Sequence, residues 1–248
     1  MGKKDKEKKT SLKIKKSNRP VILMNFDGTV MDTEPAILAT YRHMFALYGK
    51  DSEFTKEIAV EVLDSRVDAM MKKYFPEEDT KKLVSEYRSY QNNHLRDLIQ
   101  PMKGAVKFLE WVKAEGLTTG IVSTRDRRTV MDLLEHTNMA QYIDVVIGNA
   151  GAGTEKMNSD AIITACAVMK AKFCVYISDG ASDVAAGREA GVLCLGYVSN
   201  RDKTQALLES HPDFITADFR EIRKLIETEP LWMAYPLTDE KIEDDSEE

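Results

Sequence analysis

Directly after the apolar run Val21-Ile22-Leu23-Met24 the chain reads Asn25-Phe26-Asp27-Gly28-Thr29. Three later apolar runs end in similar groups: Ser123, Thr124 and Arg125, then Lys156 in the loop "GNAGAGTEK", then Asp179, Gly180, Ser182 and Asp183. Aspartates, hydroxyls, a lysine and glycine-rich turns together suit phosphate and Mg²⁺. Mg²⁺ takes oxygen ligands and keeps several waters. A lysine and free backbone N–H groups hold phosphate oxygens. One carboxylate can attack phosphorus, and a second carboxyl group can protonate the leaving oxygen. The first polar side chain after the first run is, however, the amide of Asn25. Its oxygen carries no charge and its lone pairs are delocalised, so it is a poor nucleophile.

For these groups to meet, the runs must be neighbouring strands. Residues 20–25, 117–123, 142–148, 172–178, 192–198 and 213–216 read as strands, most of them apolar on both faces, as parallel strands under helices are. Amphipathic stretches of helical length lie between them. "KGAVKFLEWVKAEG" ends at Gly116 and "DVAAGREAG" at Gly191, both suited to close a helix. Segments around 127–138, 158–170 and 218–227 also suit helices. Alternating strand and helix predicts an α/β fold with a parallel sheet, and ligands of such sheets bind beyond the carboxyl ends of the strands. Residues 34–100 break the alternation. Tyr41, Met44, Phe45 and Tyr48 follow helical spacing, with Thr33 in place to cap, and Leu83, Tyr87, Tyr90, His94 and Leu98 repeat it. Pro101 and Gly104 mark the return to the α/β part.

The motifs resemble those of the haloacid dehalogenase superfamily of phosphohydrolases. "NFDGTV" is similar to its DxDGT(L/V) signature, "GIVST" to its second motif, Lys156 to its third-motif lysine, and "VYISDGASDVAAGREAG" to GDSxxDxxAGxxAG. The resemblance covers residues 20–228, with the helical insert where the subfamily with an α-helical cap carries it. The phosphoglycolate phosphatase and β-phosphoglucomutase group looks nearest. The resemblance implies a Rossmann-like core with helices on both faces of the sheet, formed by residues 19–33 and 101–236, and a cap at 34–100. It implies Asp27 as general acid/base, and Gly28, Thr29, Ser123, Thr124 and Lys156 around the phosphoryl group. Mg²⁺ would be held at position 25, Asp27 (through its carbonyl), Asp179 and Asp183. Ser65 and Arg66 of the cap would select the substrate, a small phosphorylated metabolite such as phosphoglycolate. Position 25 would be the nucleophile, and there Asn25 departs from the pattern. "KMNS" stands in place of KPxP, Ser178 in place of glycine, and Gly180 where serine is common.

Three readings of Asn25 stay open: an Asp→Asn trap of an active phosphatase, a non-catalytic relative that binds a phosphometabolite or a protein partner, or slow turnover by direct attack of water. In each, Mg²⁺ affinity should fall with the lost charge. The totals narrow the class. The chain of 248 residues has net charge −6, and no apolar run reaches the ~18 residues that span a bilayer. The reading is therefore a cytoplasmic protein, monomer or dimer. Residues 1–17 hold eight lysines against Asp5 and Glu7, and residues 239–248 hold seven acids against Lys241. Residues 1–18 and 237–248 read as solvated, disordered tails, and no basic face suited to nucleic acid stands between them. Cys166, Cys174 and Cys194 lie in apolar segments without metal spacing and read as buried thiols. His43, His94, His136 and His211 likewise show no metal spacing.

Overall fold

A computed structural model describes residues 18–63, 65–94, 96–148 and 158–237. Chain order begins with β1 (Val21–Asn25), β2 (Met31–Asp32), α1 (Glu34–Leu47), α2 (Lys56–Leu63), α3 (Val67–Tyr74), α4 (Thr80–His94) and β3 (Gln100–Pro101). It continues with α5 (Ala105–Ala114), β4 (Thr119–Ser123), α6 (Arg127–His136), β5 (Val145–Gly148), α7 (Ser159–Val168) and β6 (Cys174–Ser178). It closes with α8 (Ala181–Ala190), β7 (Leu193–Tyr197), α9 (Thr204–Glu209), β8 (Phe214–Thr216) and α10 (Phe219–Thr228).

Six strands form one sheet in the order β5-β4-β1-β6-β7-β8, every pair parallel. Each is one of the six expected strands, trimmed at its ends. The alternation of side chains along a strand divides the core into two layers. Ile22, Met24, Val175 and Ile177 face a cluster with Phe108 and Val112 of α5, Leu134 of α6, and Phe219 and Ile222 of α10. Leu23, Val122, Cys174, Tyr176 and Cys194 face the other cluster, with Ile162 and Cys166 of α7 and Val184 of α8. Apolar residues at both parities are what two covered faces require. The three cysteines are buried, unpaired thiols. Helix ends follow local chemistry: Asp126 accepts from the Thr129 N–H at 2.9 Å at the start of α6, and Gly191, at φ 73°, closes α8.

Between β2 and β3 the described residues build four helices around a cluster of their own, including Tyr41, Phe45, Met71, Leu83 and Tyr87. The expected helical periodicity runs too far at its end: α4 stops at His94, and Leu98 sits 42% exposed in a short 3₁₀ turn. Thr33 precedes α1, yet its side chain makes no capping bond. The antiparallel pair β2–β3, Met31 opposite Pro101 and Asp32 opposite Gln100, was not anticipated. Two residues per strand are too few to show a pattern. Among the described residues no helix is long and apolar enough to cross a membrane. The two charged tails lie outside the described residues, Asn18 and Leu237 aside.

Candidate active site at the strand ends

β1 lies between β4 and β6, which the chain reaches by crossovers on opposite sides of it. This is the switch point at which open parallel sheets hold ligands. A cleft of about 910 Å³ opens there, between the strand ends and the helical insert. Asn25, Asp27, Gly28, Thr124, Asp179 and Asp183 line it from the sheet side, and Ser65 and Arg66 from the insert. Thr29 and Ser123 are buried beside it, at 0% and 4% exposure. Lys156 lies outside the described residues.

Asn25 ends β1 with both amide atoms engaged locally. Its Oδ1 accepts from the Phe26 N–H at 2.7 Å, and its Nδ2 donates to the Asp27 carbonyl at 3.2 Å. The turn then tightens, the Gly28 N–H donating to the Met31 carbonyl at 2.8 Å. Gly28 has φ 68°, and a Cβ there would stand 2.1 Å from Asp179 Oδ2. Only glycine allows that approach without strain. Thr29 completes the link: its hydroxyl donates to Asp179 Oδ1 at 3.2 Å and accepts from the Asp179 N–H at 3.0 Å.

The Asp27 carboxylate faces Arg125, from the loop after β4. Arg125 Nε lies 2.9 Å from both Asp27 oxygens and a terminal nitrogen 2.8 Å from Oδ1. Burial disfavours the charged guanidinium, but Asp27 outweighs it and the Arg125 pKa is raised. The other terminal nitrogen donates to Gln91 Oε1 on α4 at 2.8 Å, joining the insert to the sheet. The backbone N–H of Arg125 donates to Ser123 Oγ at 3.1 Å.

Asp179, at the end of β6, is 3% exposed. Its Oδ2 accepts from the Ser199 hydroxyl at 2.8 Å and from Lys203 Nζ at 3.2 Å. Asp183, in the first turn of α8, is 8% exposed and accepts from the Ser178 hydroxyl at 2.7 Å. Burial pushes its carboxyl up to about 7, against the pull of that hydroxyl. Across the cleft Arg66 precedes α3 and forks onto Asp68 at 3.0 and 2.7 Å.

The donor set can be tested against Mg²⁺. The Asp27 carbonyl already accepts an amide N–H, and Asp179 Oδ2 already accepts an ammonium and a hydroxyl. A divalent ion requires unencumbered oxygens facing one point. N–H donors and a cation aimed at those oxygens are the reverse, so the residues as placed do not fit the ion.

The structure therefore brings Asn25, Asp27, Gly28, Thr124, Asp179, Asp183, Ser65 and Arg66 to one cleft. It adds residues to which sequence reasoning gave no role: Arg125, Gln91, Ser199 and Lys203. The last two follow β7 in "YVSNRDK". Their one signal is a place past the carboxyl end of a strand, and a loop lysine there is ordinary. Gln91 carried no signal, since a glutamine on a helix is unremarkable.

Comparison with known proteins places these observations. The profile of the haloacid dehalogenase-like hydrolases matches residues 22–197. The pyrophosphatase PpaX of Listeria monocytogenes is 25% identical over 210 residues, 84% of this chain and 96% of that protein. PpaX of Halalkalibacterium halodurans is 22% identical over 209 residues, 83% of this chain and 95% of that protein. Among solved structures, a haloacid dehalogenase-like family protein of Streptococcus pneumoniae superposes with TM-score 0.75 at 19% identity, covering 84% of this chain and 98% of that one. A predicted phosphoglycolate phosphatase of Haemophilus somnus does so with TM-score 0.68 at 16% identity, covering 85% and 99%. At such identities the likeness speaks for the fold.

Proposed function

The chain belongs to the haloacid dehalogenase-like hydrolase family, and on that premise we propose a phosphomonoesterase site that binds a small phosphorylated metabolite and turns it over weakly or not at all. The observation that carries this reading is Asn25, with its amide tied to Phe26 and Asp27 where the family's resemblance calls for a nucleophilic carboxylate. Without that carboxylate no acyl-phosphate forms. Loss of a covalent nucleophile costs up to ~10⁶ in kcat in a worked protease case. What remains is attack by water, with Asp27 as base. Both Asp27 oxygens accept from Arg125, so substrate must first draw that guanidinium away.

Binding survives better than turnover. In our reading Gly28, Thr124 and the backbone around them, with Ser123 and Lys156, hold the phosphoryl oxygens. The Arg125 fork matches phosphate geometry as well as carboxylate. We read residues 34–100 as the substrate-selecting cap, with Ser65 and Arg66 facing the far end of the molecule, a phospho-acid such as phosphoglycolate. Because the relatives named above are pyrophosphatases, inorganic pyrophosphate belongs beside phosphoglycolate and sugar phosphates in the panel.

Phosphate release is measured with Mg²⁺ for this chain, for Asn25→Asp, and for Asn25→Asp combined with Lys203→Met, which also clears the ammonium from Asp179. The native chain should sit near background, and at least one restored variant should exceed it by ~10² or more, well within the loss that removing a nucleophile causes. Silence of both variants on every substrate would sink the phosphatase reading. A second reading, a binding module without turnover, draws on the Arg125 bridge from Asp27 to Gln91. It expects metabolite or partner binding from a chain that no restored variant activates.

A further inference from the structure

Asp179 and Asp27 are the two carboxylates that the resemblance assigns to metal holding and proton transfer. Each already has a cationic partner from this chain: Lys203 on Asp179 and Arg125 on Asp27. The Lys203 contact is built into the fold. Lys203 ends a 3₁₀ turn, Arg201–Lys203, that follows β7. That turn is started by Asn200, whose Oδ1 accepts from the Asp202 N–H at 3.0 Å and whose Nδ2 donates to Glu34 Oε2 of α1 at 3.1 Å. Its side chain is 23% exposed against 3% for Asp179, so the ammonium reaches from the cleft onto a buried carboxylate. Ser199 supports the same oxygen at 2.8 Å. A paired, hydrogen-bonded geometry of this kind is what a buried charge needs.

The charges close without a metal. A carboxylate at position 25 with a divalent ion would sum to one positive charge, and an amide with one ammonium sums to the same. The amide removes the negative charge that would have attracted a divalent ion, and it turns an N–H onto the Asp27 carbonyl. The lysine supplies a single positive charge at Asp179.

We propose that Lys203 is the resident cation of this site, and that the cleft takes up phosphate without a divalent ion. This rests on the phosphate-binding reading above and specifies how that binding is achieved. An ammonium on a flexible stem carries three donors. Its positive charge lines the cleft beside Asp179 and attracts a phosphate oxygen, a task that in the metal-dependent layout falls to the ion.

The test is calorimetry with inorganic phosphate on the full chain, in EDTA and in Mg²⁺, with Mn²⁺ binding followed separately by electron paramagnetic resonance. Native protein should bind phosphate with the same affinity in both buffers and take up no stoichiometric Mn²⁺ below about 1 mM, the weak end of the protein divalent-ion range. Lys203→Met should weaken phosphate binding at least tenfold in EDTA, and Lys203→Arg should recover most of it, while cooperative thermal unfolding shows both variants folded. Asn25→Asp combined with Lys203→Met should gain Mn²⁺ binding. Phosphate binding that requires Mg²⁺, sub-millimolar Mn²⁺ binding by the native chain, or an unaffected folded Lys203→Met would overturn the proposal and leave the phosphate site standing. Phosphate bound in neither buffer would remove the site itself and the proposal with it.

Discussion

Gly28 and Asp183 show how closely the site's residues constrain one another. At Gly28 a methyl group would stand 2.1 Å from Asp179 Oδ2 at a φ of 68°. Gly28→Ala therefore meets both left-handed strain and a carboxylate held by three side chains. The expected cost is about 2–4 kcal/mol, read as a lower urea midpoint at unchanged slope. Asp183 titrates near 7 because it is buried, while its unfolded value is about 4. Between those values the folded state holds a proton that the unfolded state has released, so stability falls as pH rises from about 4 to about 7 and then levels. The gap caps the effect at about 4 kcal/mol. Asp183→Asn should flatten that slope and melt higher than the native chain at pH 8, and equal pH slopes in the two proteins would refute the assignment. Single residues were legible where type and position coincided, as for Asn25, Asp27 and Asp179 at strand ends. Lys203 was not, because a lysine in a loop is ordinary until a buried carboxylate is known to lie beneath it.

The strands were the most legible elements, since being buried on both faces makes them continuous apolar runs bounded by turns. β5 is shorter than the expected 142–148: Ala140–Tyr142 is a 3₁₀ turn, and Tyr142 sits where an apolar side chain at a strand's start would read the same way. The pair β2–β3 was invisible because its register is set by the elements it joins. Arg125 is a link between elements. It ties the β1 loop to α4 through Asp27 and Gln91, with 16% of its side chain exposed. Arg125→Ala should cost about 1–3 kcal/mol, since it leaves Asp27 and Gln91 without their partner. Arg125→Lys should restore the charge but not the fork, and recover only part of that. Amide exchange in α4 should quicken in both variants, more in the alanine. Unchanged exchange there would mean that the Gln91 contact does not couple the two parts.

At the scale of the molecule, two apolar clusters among the described residues line the sheet and a third belongs to the helical insert. Protection against hydrogen exchange should be greatest in β1 and β6, at the middle of the sheet. It should be lower throughout α1–α4, whose separate core can open alone. Uniform protection would contradict this division. The β2–β3 pair gives the division a further meaning. The helical insert begins after Asp32 and ends before Gln100, residues that pair with each other. Loop-closure entropy grows only slowly with length, and here the two ends are already clasped. The length of the insert thus adds little entropic cost to the folding of the sheet. Circular permutation with new termini inside it should leave the six-stranded sheet able to assemble. Exchange of the whole insert for another helical unit, spliced at that two-residue clasp, becomes a route by which the same cleft could be given a different lid and a different ligand.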